Sequence, residues 1–109
     1  MGARLTDSAL YAHLWGTDEL RRVFDEGSRI QGWLDVLAAL AQAQAELGII
    51  PEEAAKAIAG ASSVELLDLG AVAEETRRTG HSTLGLIRGL QAALPDEARE
   101  WVYYQRRAR

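Results

Sequence analysis

Three observations predict an all-α fold. Alanine and leucine dominate the 109 residues, only two prolines occur, and alternating strand-like patterns are scarce. The length suits one domain with one core of moderate size, made of about five helices.

The first helix is expected in "GTDELRRVF", with Thr17 or Asp18 as its N-cap. The strongest element follows, "DEGSRIQGWLDVLAALAQAQAELG". In it Ile30, Trp33, Leu34, Leu37, Ala41, Gln44 and Leu47 recur at helical spacing, which predicts one buried side. Asp25 and Glu26 suit its N-terminal dipole end, and Gly48 suits the left-handed C′ position. "IIPEEAAKAIAG" restarts the pattern, with Pro51 at N1 and Glu52 and Glu53 in the first turn. Ser63 is then a candidate cap for "VELLDLGAVAEETRRT", where Leu66, Leu67, Leu69, Val72 and Ala73 form an apolar stripe. Glu74 and Arg78 stand four apart there in the favourable order. Gly80 breaks that helix, and Ser82 can cap "TLGLIRGLQAAL". Gly85 and Gly89 lie one turn apart within it, at an intrinsic cost of roughly 1 kcal/mol each relative to alanine. Either close approach by a helix or ligand, or drift in a tolerant helix, accounts for them. Pro95 ends the element, "PDEARE" suits one more short turn or helix, and "WVYY" is extended in character.

Composition excludes several functions. With no cysteine there is no disulfide framework, thiolate zinc site or cysteine nucleophile. The net charge is −4 although three arginines stand in the last five residues, so the body is acidic and poorly suited to nucleic acid. No apolar run approaches the roughly 20 residues that cross a bilayer, so no membrane partner is expected. The opening "MGARLT" fits the short N-myristoylation pattern at Gly2 and Thr6, but an ordinary start is the better reading.

Two histidines remain as candidates for chemistry. His13, in "YAHLWG", has apolar neighbours and no second ligand at metal spacing, which favours a structural role. His81, in "TRRTGHSTLG", stands at a helix junction beside Gly80, Ser82 and Thr83. A helix N-terminus is a ready site for carboxylate or phosphate, and an adjacent histidine can bind an anionic substrate or move a proton near neutral pH. No nucleophile elbow, P-loop or dinucleotide fingerprint is present.

In order, "VFDEGSRIQGWLDVLAALAQAQAELGIIPEEAAKAI", "EETRRTGHSTLGLIRGL" and "EWVYY" resemble the N-terminal domain of the fumarase/aspartase superfamily. The resemblance covers roughly Leu14 to Tyr104 and looks closest to the branch of adenylosuccinate lyase and carboxymuconate cycloisomerase. It implies a small helical first domain, residues 1–104, preceding a central helical bundle, with a basic tail at 105–109 that does not match. It implies homotetrameric enzymes of the cytoplasm that eliminate from, or cyclise, dicarboxylate substrates, with no metal or other cofactor in the central chemistry. The histidine of the Thr-x-His junction is His81, for which the resemblance implies substrate binding or support of proton transfer. Thr79 matches the threonine, and Ser82 joins them as a binding residue. Gly80 and Ser82 replace the arginine and aspartate common in adenylosuccinate lyases, and Tyr103 replaces a histidine; these departures favour the cycloisomerase-like side.

The family continues beyond "WVYY" with a Gly-x-Thr/Ser signature and the catalytic bundle, whereas here "QRRAR" follows. The expectation is therefore a truncated domain, inactive alone. The alternative is a stand-alone interaction module that self-associates or binds a full-length lyase. If Trp33, Leu37 and the Gly85/Gly89 face pack on a bundle in the family, the isolated chain is expected to dimerise or aggregate through that contact surface.

Overall fold

The computed structural model describes residues 4–105. Gly2 and the arginines of the tail lie outside them. Six α-helices and no strand occur among the described residues: α1 (Asp18–Val23), α2 (Glu26–Glu46), α3 (Glu52–Ala61), α4 (Leu69–Thr79), α5 (Ser82–Ala92) and α6 (Asp96–Arg99). The all-α expectation holds. The chain divides into two compact units, Met1–Ile30 and Gln31–Arg109.

In the first unit two 3₁₀ turns, Leu5–Asp7 and Ala12–Leu14, precede α1. Thr17 is the N-cap of α1, its hydroxyl accepting from the Leu20 N–H at 3.1 Å. The Arg21 guanidinium donates to the Ala12 carbonyl at 2.9 Å, tying the second turn to α1. Leu10, Leu14, Trp15, Leu20, Val23 and Phe24 are all exposed.

The second unit holds a continuous core in which Leu34, Ile58 and Leu90 are fully buried. Leu37, Ala41, Ile50, Leu67, Leu86, Leu94 and Val102 surround them. The buried side of α2 is narrower than its apolar periodicity implies. Leu34, Leu37 and Ala41 face inward, whereas Trp33 is 40% and Leu47 77% exposed. Gly48 ends α2 as expected, at φ +73°. The Ile49 N–H donates to the Gln44 carbonyl at 2.8 Å and the Gly48 N–H to the Ala45 carbonyl at 3.0 Å, which satisfies the last turn.

Other boundaries move for identifiable reasons. Pro51 is the N-cap of α3, not its first residue, because its ψ of 141° is extended. The helix expected from Val64 is split, and Ser63 does not cap it. The Gln31 side chain accepts from the Val64 N–H and donates to the Ser62 carbonyl, both at 2.9 Å, and so holds a 3₁₀ turn at Val64–Leu66. Asp68 caps α4 instead, accepting from the Ala71 N–H at 3.1 Å. Glu74 pairs with Arg77 and Glu75 with Arg78, so the favoured spacing is three, and the Glu74–Arg78 pair does not form. "WVYY" is a turn, not extended chain: Val102 is buried, and Tyr103 takes φ +52°. The Trp101 and Tyr104 rings pack at 4.9 Å, tilted by 54°. The Gln44 amide donates to the Tyr104 carbonyl at 2.9 Å and fastens this turn to α2.

Gly85 and Gly89 have a packing reason. A Cβ at Gly85 would stand 2.9 Å from the Val72 carbonyl oxygen and 3.0 Å from Thr76 Oγ1. One at Gly89 would stand 2.7 Å from Val72 Cγ2. The missing side chains let α5 lie against α4 at backbone distance, so this face and Leu37 belong to the unit's own interior and are not a free contact surface.

Candidate functional site at the α4–α5 junction

The junction is built by one left-handed residue. Gly80 ends α4 at φ +70°, ψ 16°, and its N–H donates to the Thr76 carbonyl at 2.7 Å. That conformation strains any residue with a Cβ. The chain reverses there, and His81 emerges with extended torsions, φ −133° and ψ 101°. His81, and not Ser82, is therefore the N-cap of α5, while Ser82 becomes its first helical residue.

Thr79 organises the turn. Its hydroxyl donates to the Glu75 carbonyl at 2.8 Å and accepts from the His81 N–H at 3.2 Å. One half-buried oxygen thus closes α4 and fixes the backbone of the histidine. The His81 side chain makes no capping hydrogen bond and is exposed, as is Ser82. His81 and Ser82 are the N-cap and first residue of an eleven-residue helix, whose dipole end favours negative charge. The three residues singled out by sequence, Thr79, His81 and Ser82, belong to one turn: the first positions, and the other two are exposed.

A charged group one turn back along α4 carries no pattern visible in the sequence. The Glu75 carboxylate is 20% exposed and receives both Arg78, at 3.0 Å from Nε, and Arg88 of α5. Arg78 is visible at helical spacing from Glu75, but Arg88 is thirteen residues away and no local signal joins them. This cross-helix pair clamps the two helices that meet at His81.

His13 stands apart in character. It lies in the Ala12–Leu14 turn of the first unit and is exposed, so the structural role expected from its apolar neighbours is not a buried one. Among the described residues no group of three or more histidine, aspartate or glutamate side chains could hold a metal ion. Among the described residues of the second unit, a shallow groove of about 450 Å³ lies between α2 and α3 and another of about 480 Å³ beside Pro51 and Pro95. Thr79, His81 and Ser82 line neither.

Fold and junction together define a small helical domain that presents a histidine beside a helix N-terminus, an arrangement suited to anionic small molecules. No family model matches the chain. It is 41% identical over 104 residues to N-acetyl-S-(2-succino)cysteine lyase of Enterococcus italicus, covering 95% of this chain and 23% of that protein. It is 39% identical over 90 residues to adenylosuccinate lyase of Methanocaldococcus jannaschii, covering 83% of this chain and 20% of that protein. Over 71 residues it is 39% identical to 3-carboxy-cis,cis-muconate cycloisomerase of Pseudomonas putida, covering 65% and 17%. The chain belongs to the fumarase/aspartase superfamily, in the branch of adenylosuccinate lyase and carboxymuconate cycloisomerase, and corresponds to the N-terminal domain of those enzymes. It spans about a fifth of the length of the curated relatives it matches. The equal identities to a lyase and to the cycloisomerase do not separate the two activities.

Proposed function

We propose that this chain is the N-terminal domain of a lyase or cycloisomerase acting on a dicarboxylate-type small molecule, and that the α4–α5 turn is its contribution to the substrate site. One observation carries the assignment of the turn. Thr79 holds the His81 backbone through a hydrogen bond while the imidazole stays exposed and uncapped. A side chain held by its backbone and free at its tip is positioned to meet a substrate. The names of the relatives, a succino-cysteine lyase, an adenylosuccinate lyase and a carboxymuconate cycloisomerase, share carboxylate-rich substrates. The N-terminus of α5 supplies complementary positive potential, and the imidazole can add a hydrogen bond.

In this reading His81 and Ser82 bind a substrate carboxylate, and His81 supports proton transfer. Elimination also needs a base, an acid and stabilisation of developing negative charge, each from a positioned group. The 109-residue chain alone is therefore expected to show no turnover. Its exposed apolar side chains favour a second reading, a stand-alone helical module that binds copies of itself or a full-length lyase.

The test is a chimera in which residues 4–104 replace the matching segment of the Enterococcus italicus lyase. The chimera is expected to cleave that enzyme's substrate, and His81→Ala to lower kcat/KM by roughly 10²-fold or more. Thr79→Val should cause a smaller loss. A folded chimera without activity, or one indifferent to His81→Ala, would overturn the reading.

A further inference from the structure

Helix α5 meets α4 along a line of glycines, where the side chains that normally interlock two helices are missing. Gly85 and Gly89 face α4, and a Cβ on either would collide with it. The contact is close but smooth, so it leaves the roll of α5 unkeyed at those two positions. One flank of the glycine line is anchored, because Leu86 and Leu90 are buried in the core. On the other flank stands Arg88, about 60° round the helix from Gly85. Its guanidinium donates to Oε1 of Glu75 on α4. Among the described residues no other ion pair joins α4 to α5. His81 shares this flank, since seven residues bring the helix back to within about 20° of the same side.

Glu75 serves both ends of that flank. Its carbonyl accepts from the Thr79 hydroxyl at 2.8 Å, and the same hydroxyl accepts from the His81 N–H at 3.2 Å. Its carboxylate is 20% exposed. Arg78 grips both carboxylate oxygens, with Nε 3.0 Å from Oε2, and Oε1 is shared with Arg88. Arg78 thus holds the carboxylate in place for Arg88. A Cβ at Gly85 would stand 3.5 Å from Glu75 Cβ, so the stem of Glu75 also lies against α5. We propose that Glu75 and Arg88 are positioning residues for His81, fixing the direction in which α5 presents the imidazole. This rests on the reading of His81 as a substrate-contacting residue.

The geometry is that of a rod held at two places. The Thr79 latch fixes one point, at the His81 N–H. The Arg88 clamp lies seven residues further on, about 10 Å along the axis. Two points fix the direction of a helix, whereas one point leaves it free to swing and roll. A histidine side chain reaches roughly 5 Å from its Cα, so a roll of about 10° carries its tip about 1 Å. A displacement of that size at a reacting centre costs up to about 10²-fold in rate. Exposed ion pairs add little to stability, so removing this one changes direction rather than folding.

Two measurements test the proposal. In the 109-residue chain, Arg88→Ala and Glu75→Ala should each lower the amide order parameters of residues 79–82 by about 0.1 or more from a rigid value near 0.85. Those of Leu86 and Leu90 should stay unchanged. Unaltered order at His81, or an equal loss along all of α5, overturns the proposal. The chimera with the Enterococcus italicus lyase gives the second readout. Arg88→Ala should lower kcat/KM about tenfold beside an intact His81, but less than about twofold beside His81→Ala. Arg88→Lys keeps a cation for Glu75 and should recover at least about half of the loss. Glu75→Ala should also lower activity, although it removes a negative charge near the site. A gain from Glu75→Ala would mean that Arg88 meets the anionic substrate directly, and overturns the proposal. Arg77→Gln removes the same charge from the exposed side of α4 and should leave activity unchanged. Additive losses from Arg88→Ala and His81→Ala overturn the proposal. A chimera that is inactive, or indifferent to His81→Ala, overturns the substrate reading instead, and the order parameters still decide the clamp.

Discussion

At the scale of single residues, the glycines of the α3–α5 region answer to different constraints. Gly85→Ala drives a methyl group to 2.9 Å from the Val72 carbonyl oxygen, a backbone atom that cannot swing aside. We expect a loss of roughly 1–3 kcal/mol in urea unfolding, after the gain in helix propensity. Gly89→Ala meets only the side chains of Val72 and Leu67, so its cost should be smaller. Gly60→Ala meets nothing within 4 Å in α3 and should stabilise by up to about 1 kcal/mol. If Gly85→Ala proved as benign as Gly60→Ala, the close packing of α4 on α5 would be wrong. The spacing of Gly85 and Gly89 is legible in the sequence, but what they meet is not. The choice between helix packing and drift depends on where residues nine and more positions away come to lie. His81 was legible in the same partial way. Its place at a helix junction follows from Gly80, whereas the Thr79 latch needs the turn's actual torsions.

Elements follow periodicity in their interiors and tertiary contacts at their ends. The existence of α2, α3 and α5 follows from their apolar spacing and stop signals. The split before α4 does not, because it is made by Gln31, more than thirty residues upstream, whose amide serves Ser62 and Val64 together. Gln31→Leu should therefore cost roughly 1–3 kcal/mol, since it leaves the Val64 N–H without its partner. A urea titration showing less than about 0.5 kcal/mol would mean that water replaces the amide at no cost. The "WVYY" turn is hidden for a similar reason. Its aromatic residues favour strands, yet Gln44 from α2 takes the Tyr104 carbonyl, and burial of Val102 bends the chain. Side-chain amides reaching across elements override local preference at both places.

Over the whole molecule, burial is uneven. The fully buried side chains Leu34, Ile58 and Leu90 all lie in the Gln31–Arg109 unit, whereas the first unit leaves seven large apolar side chains exposed between Leu10 and Phe24. Local stability follows buried contacts. Amide hydrogen exchange should thus be fast across α1 and slowest in the middle of α2, α3 and α5. Equal protection in both units would contradict that distribution. The ion pairs point to a second global property. Each has a partner that is about half exposed or more, and most join residues three or four apart. Such pairs contribute little and are screened by salt, so the Tm should shift by less than about 3 °C between 50 and 500 mM sodium chloride. A larger fall would show that the Glu75 cluster weighs more than its exposure implies.

The Thr79 latch has an evolutionary consequence. It grips the main chain of residue 81 and leaves the side chain unemployed by the scaffold. Position 81 is thereby a socket: a different side chain can be installed there without disturbing either helix. Changes of chemistry at that tip and changes that preserve the fold can then accumulate independently, and a lineage can explore new substrates while its architecture stays still.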